Sequence, residues 1–183
     1  MSNHPDSTER KANLWAPWRI AYIKEIDDRE GCFLCHYRDD PDNDAEHLVL
    51  WRGRHVMAVL NRFPYTGGHL MVTPYRHVAS LDDLSPAETL ELMAMVRDTQ
   101  KALSDALSAE GFNVGINFGH CAGAGLPGHL HVHVVPRWSG DTNFMAVLGE
   151  VRVIPEALTS VYTGLLRSSE RLDLPNLPAQ EGA

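Results

Sequence analysis

Long apolar runs, cysteine in quantity and an excess of positive charge are all missing from this chain of 183 residues. No stretch approaches the roughly 20 apolar residues of a membrane-spanning helix. The polar start MSNHPDSTERK has no apolar segment behind it, so no membrane association is expected and the expected address is the cytoplasm. Three cysteines, Cys32, Cys35 and Cys121, are too few for a disulfide scaffold. The formal net charge of −8 leaves no broad basic stripe for nucleic acid, although a pocket in an acidic protein can still be locally positive for a small anion. Internal repeats are absent as well. With 44% hydrophobic residues the chain can bury one core, and one domain over residues 14–171, with loose tails at 1–13 and 172–183, is the expected organisation.

Within that domain the apolar pattern changes period several times. LVLWRG and HVMAVLN, split by a turn at Gly53, and GGHLMVTP from Gly67 to Pro74 read as strands of an antiparallel meander. Ser85, followed by Pro86 and then Glu88, is a capping box with proline at the first helical position. The helix it opens is expected to turn Leu90, Met93, Val96, Leu103 and Leu107 toward the sheet. FNVGINF from Phe112 and HLHVHVVP from His129 are two further strands, joined by the glycine-rich loop GHCAGAGLPG, and a last helix is expected near Pro155. Strands, a long helix, strands and a helix make an α+β pattern.

The strand from His129 carries the chemistry. Alternate residues share one face of a strand, so His129, His131 and His133 project together while Leu130, Val132 and Val134 anchor the other side. From pattern alone, three co-facial imidazoles fit acid–base or nucleophilic catalysis, a metal cluster, or a polar sheet surface. The C-x-x-C of Cys32 and Cys35 suits a metal or a redox pair, but a thioredoxin-like pair introduces the helix of a βαβ unit, and none is expected here.

The run His129-Leu-His-Val-His-Val-Val135 resembles the H-x-H-x-H-x-x signature of the histidine triad (HIT) family of nucleotidyl hydrolases and transferases. AVLNRFPYTGGHLMVTPYRH and GFNVGINFG are similar to further strands of that family. LWAPWRIAYI and VVPRWSGDTNFM resemble one bacterial branch, which includes enzymes that split diadenosine tetraphosphate by phosphorolysis. The likeness spans about Trp15 to Pro155 and implies a HIT fold: an antiparallel sheet of about five strands, a long helix packed on it and a C-terminal helix.

The resemblance also implies roles. His131 would be the nucleophile that takes up a nucleoside monophosphate, and His133 would contact the phosphate or leaving group. Asn61 would contact the ribose, with Asn117 beside the site, and backbone N–H groups from Gly123 through Gly125 to Gly128 would form an anion nest. Trp138 is a candidate for base stacking. Many hydrolases of the family have glutamine four residues before the first histidine, where this chain has Gly125, which favours inorganic phosphate over water as acceptor. Cys32, Cys35, His77 and His129 match the Cys2His2 set that holds structural zinc in some members, and no organic cofactor is expected. Pairing into a homodimer through the long helix and a sheet edge is implied too. The alternatives are hydrolysis of dinucleoside polyphosphates, phosphoramidates or adenylyl sulfate, and a zinc-stabilised nucleotide-binding module without turnover. His36, His47, His55, His69 and His120 are read as ordinary surface or hydrogen-bonded residues, Arg137 as a rim charge, and Trp15, Trp18 and Tyr22 as packing residues.

Overall fold

The computed structural model describes residues 31–141 and 157–177. Trp15, Trp18, Tyr22, the 1–13 segment and the expected helix start at Pro155 lie outside them. In chain order the elements are α1 (Phe33–Asp39), α2 (Asp44–His47), β1 (Val49–Arg52), β2 (Val56–Leu60), β3 (Leu70–Pro74), α3 (Pro86–Leu107), β4 (Gly111–Gly115), β5 (Val132–Arg137) and α4 (Leu158–Arg171). The strands form one sheet in the order β1-β2-β3-β5-β4, every neighbouring pair antiparallel. No helix among the described residues is long and apolar enough to cross a membrane.

The two-residue alternation of the strands divides the described residues into two cores. On one face Ala58, Leu60, Leu70, Val72, Val132 and Val134 pack against Leu92, Met95 and Leu103 of α3 and Val161 and Leu165 of α4. On the other face Val49, Met57 and Val59 cover a smaller cluster with Leu34 and Tyr37 of α1. The histidines stand on this second face, beside the short N-terminal helices.

Helix α3 starts as its sequence dictates. The Ser85 hydroxyl accepts from Glu88 N–H at 3.3 Å, and the Glu88 carboxylate accepts from Ser85 N–H at 2.8 Å. Arg76 lies 2.7 Å from the same carboxylate, and this pairing, with the Ser85 N–H, holds it at about 2. The buried face differs from the expected stripe. Leu92, Met95, Val96, Thr99, Ala102 and Leu103 are buried, whereas Leu90 is 73% and Met93 53% exposed. In TLELMAM the apolar residues Leu90, Leu92, Met93, Ala94 and Met95 are too closely spaced for a single helix face to collect, and the sheet takes the Leu92–Met95 phase.

Polar anchors fasten the rest. At the β1–β2 turn the Glu91 carboxylate, which accepts from Arg54 N–H at 2.5 Å and His55 N–H at 3.0 Å, occupies the space a side chain at Gly53 would fill, so a larger residue there would displace it from those amides. Helix α4 docks on β1 through the Trp51 indole N–H on Ser169 Oγ at 3.0 Å and the Tyr162 hydroxyl on Val49 O at 3.0 Å. Leu174 and Leu177, inside the stretch read as a tail, are buried in the main core, and Asn176 donates to Asp98 at 2.6 Å. Burial raises the Asp98 carboxyl, but Arg97, Asn176 and Lys101 outweigh it and hold the group ionised.

Leu103→Ala should lower unfolding stability in urea by about 2–5 kcal/mol through the cavity it leaves, and Ser85→Ala by about 1 kcal/mol through the lost cap. A Ser85→Ala protein as stable as the parent would mean that the cap contributes nothing.

Candidate active site

The ladder between β3 and β5 pairs Leu70 with Val134, Met71 with His133 and Val72 with Val132. It begins at Val132, three residues later than the strand expected from His129. Residues 129–131 continue alongside β3 without the ladder, held by Thr73 Oγ1–H on Leu130 O at 2.8 Å and Leu130 N–H on Val78 O at 2.6 Å. The side-chain alternation survives: Leu130, Val132 and Val134 enter the main core, and the three histidines face the other way.

Each imidazole has one nitrogen committed to the backbone or to a neighbour. His131 is 6% exposed, and its Nδ1 lies 2.8 Å from His129 O. A carbonyl can only accept, so Nδ1 carries the proton and Nε2 keeps its lone pair. Burial lowers the pKa of His131 against the opposing effect of that bond, favouring the neutral ring. His129 is held likewise, Nε2–H donating to Pro74 O at 2.8 Å, and burial lowers its pKa to about 4. Its bare Nδ1 points at Cys32 Sγ, 3.1 Å away, and Cys35 Sγ, 3.5 Å away.

His133 depends on His69, which had been read as an ordinary histidine. His69 is fully buried, and its Nε2 lies 3.0 Å from His133 Nδ1. On its other side Nδ1 faces Tyr65 N–H at 3.2 Å and the Asn61 amide nitrogen at 3.3 Å. The Tyr65 amide can only donate, so His69 Nδ1 accepts and Nε2 holds the proton. His133 Nδ1 therefore accepts, and the proton of neutral His133 sits on Nε2. Burial, reinforced by His133 and His131, depresses His69 to about 3. The signal for His69 was cross-strand: Met71 stands opposite His133, and His69 is two residues along the same face.

Other expected binding residues divide. Asn61 is 7% exposed, with its oxygen accepting from Phe63 N–H at 2.9 Å and its amide nitrogen on His69, so its hydrogen bonds serve the histidine cluster. Gly123, at φ 88°, closes a short turn by donating its N–H to His120 O at 2.9 Å. The N–H groups of Gly125, Leu126 and Gly128 have no partner among the described residues. The β4–β5 register pairs Gly115 with His133, and continued by two residues it sets Asn117 level with His131. No heavy atom lies within 4 Å of where a side chain at Gly115, the residue paired with His133, would begin. Trp138 donates its indole N–H to Leu107 O at 3.0 Å. It is separated from His131 by seven residues of extended chain, ~23 Å. Arg137 is a rim charge, paired with Asp141 at 2.5 Å.

Cys32, Cys35, His77 and His129 meet as expected, their ligand atoms all within 4.8 Å of one another. Cys32 caps α1, its sulfur accepting from Cys35 N–H at 3.5 Å, so the C-x-x-C does open a short helix, although in an antiparallel setting and not a βαβ unit. Cys35 Sγ lies 3.3 Å from His77 Nδ1. Tetrahedral zinc would separate thiolate sulfur and imidazole nitrogen by about 3.5 Å, so the spacing fits. Burial pushes the Cys32 thiol up to about 11, a cost that a divalent cation would offset.

The fold and this constellation together define a histidine triad protein, and the comparison with known families agrees: the HIT domain matches residues 43–140, and the chain belongs to that family. It is 43% identical over 165 residues, 87% of this chain and 80% of the relative, to a Mycobacterium tuberculosis protein named AP-4-A phosphorylase. It is 39% identical over 93 residues, about half of each chain, to the asymmetrical bis(5'-nucleosyl)-tetraphosphatase of Schizosaccharomyces pombe. Among solved structures, a zinc-bound histidine triad family protein from Mycobacterium smegmatis superposes with a TM-score of 0.64 at 28% identity, covering 78% of this chain and 96% of the other.

Because His69 has a lower pKa folded than the ordinary 6.5, the unfolded chain binds more protons between those values. Its contribution is complete above pH 6.5 and is lost as pH falls toward 3. Urea unfolding across that window should show stability falling with pH, and His69→Asn should make the fall shallower. An unchanged slope in the variant would remove His69 from this role.

Proposed function

We propose that the chain is a nucleotidyltransferase that splits diadenosine tetraphosphate by phosphorolysis through a nucleotidyl-histidine at His131. The observation that carries the reading is the bare Nε2 of a neutral, buried His131 whose other nitrogen is fixed on a carbonyl. In the first step Nε2 attacks the α-phosphorus, a P–N bond forms, the bond to the bridging oxygen breaks, and ATP leaves. In the second step an oxygen of inorganic phosphate attacks the same phosphorus, the P–N bond breaks, and ADP leaves. His133, whose Nδ1 is taken by His69 so that its proton lies on Nε2, serves the departing oxygen or the phosphate as donor. Asn117 and the N–H groups of Gly125, Leu126 and Gly128 are the binding groups for the nucleotide and its phosphates. The AP-4-A phosphorylase relative supports this substrate and acceptor.

Hydrolysis is the second reading, supported by the tetraphosphatase relative. Incubating the protein with diadenosine tetraphosphate, with and without inorganic phosphate, separates them. ADP plus ATP formed only with phosphate is the expected result, and AMP plus ATP regardless of phosphate would make the enzyme a hydrolase. His131→Ala should lower turnover by at least about a thousandfold. Nucleotide binding without turnover in the parent protein would leave a binding module.

Cys32, Cys35, His77 and His129 suit a structural zinc, a reading supported by the zinc-bound relative. Four protein ligands fill a tetrahedral shell, and the ion would fasten α1 to the triad strand. The Pro74 carbonyl on His129 Nε2 is the outer partner that orients such a ligand. Metal analysis should find zinc bound here, and Cys32→Ser should release it with a loss of more than about 2 kcal/mol of stability. Full zinc retention in Cys32→Ser would contradict the site. The exposed Leu90 and Met93 of α3 and the edge position of β4 support a homodimer, and the composition supports a cytoplasmic setting.

A further inference from the structure

A second group of donors lies on α1 and α2, outside the triad and the Cys2His2 set. His36 stands on α1, Asp40 follows one helical turn later at its C-terminal cap, and His47 is the last residue of α2. Their donor atoms all lie within 4.8 Å of one another. Two of the three are already oriented by neighbours. His47 is stacked on Tyr37 with centroids 4.5 Å apart and places Nε2 2.8 Å from Asp40 Oδ2. The Asn43 amide nitrogen holds the Asp40 carboxylate at 2.9 and 3.0 Å. The exposed His36 ring packs edge-on against His47, with centroids 5.0 Å apart, and its nitrogens have no hydrogen-bond partner among the described residues.

We infer that His36, Asp40 and His47 form a second metal site, for a divalent cation of borderline softness such as zinc, cobalt(II) or nickel(II). Two imidazoles and one carboxylate are the donor set such ions prefer over calcium or magnesium, which take oxygen ligands. Binding replaces the proton on His47 Nε2 with the metal, while Asn43 keeps its hold on the carboxylate as the outer partner. Of the acidic residues around the trio, Asp39 is paired with Arg38 and Asp44 with Arg52, so the added negative charge beside it comes from Asp42 and Glu46. Three protein donors, one of them on an exposed residue, leave coordination positions for water. The ion would clip α1 to α2 immediately before β1. The site is independent of the zinc proposed above, although Cys35 and His36 are consecutive on α1.

Cobalt(II) titration of the metal-stripped full-length protein, with bound metal counted after dialysis, tests the inference. Thiolate-to-cobalt absorption marks the cysteine set and is absent from a site made of histidine and aspartate. The parent protein should bind one more cobalt ion per chain than His36→Ala or Asp40→Asn, and the lost ion should carry no thiolate band. Asn43→Ala should weaken that same ion by about tenfold. Equal stoichiometry and affinity in the parent, His36→Ala and Asp40→Asn would overturn the site. So would loss of an ion that carries the thiolate band, because the disturbed site would then be the cysteine set.

Discussion

The site depends on one constraint: each imidazole of the triad meets a partner that fixes which of its nitrogens holds the proton. Pro74 O sets His129, His129 O sets His131, and Tyr65 N–H sets His69, which in turn sets His133. Carbonyls and amides have no alternative role, so the pattern is written by backbone atoms and not by a balance of pKa values. Three similar residues at alternate positions thereby receive different capacities. One presents its lone pair to two sulfurs, one keeps a bare nitrogen, and one carries its proton on Nε2. Burial reinforces the arrangement by disfavouring the imidazolium at His131, His129 and His69.

The sheet makes this possible by using its two faces differently. Helices α3 and α4 cover one face with the larger core, which anchors the triad strand through Leu130, Val132 and Val134. Among the described residues the other face keeps a small apolar cluster under α1, and polar side chains gather beside it. Helix α1 joins this face through Leu34 and Tyr37 and brings Cys32 and Cys35 to His129 and His77. A cation at that point would hold the helix and the first triad histidine together, leaving His131 to its own carbonyl.

Much of this was legible in the chain. Period-two alternation is a local property, so the strands, the co-facial histidines and the anchoring Leu130, Val132 and Val134 could be read directly, as could the capping box at Ser85 and Glu88. What escaped depends on partners distant in sequence. The helix phase of α3 was ambiguous because apolar residues occupy Leu90, Leu92, Met93 and Met95, and the sheet alone decides between them. His69 looks like one histidine among ten until the β3–β5 register sets it diagonally across from His133. Gly123 offered an amide to an anion, but a turn that only the three-dimensional path defines had already taken it. The Asn61 amide spends its bonds on Phe63 and His69, and Trp138, expected as a stacking face, stands seven residues of chain beyond His131 with its indole N–H on Leu107.

The central claim is that His131 Nε2 is the nitrogen that bonds to phosphorus. The direct measurement is to mix the protein with diadenosine tetraphosphate in the absence of inorganic phosphate, quench rapidly in base, where a phosphorus–nitrogen bond to histidine survives, and map the modified peptide by mass spectrometry. The account predicts an adenylyl group on His131, discharged as ADP when phosphate is added before the quench. An adduct on His133, whose Nε2 is assigned the proton, or turnover with no covalent adduct under single-turnover conditions, would contradict it.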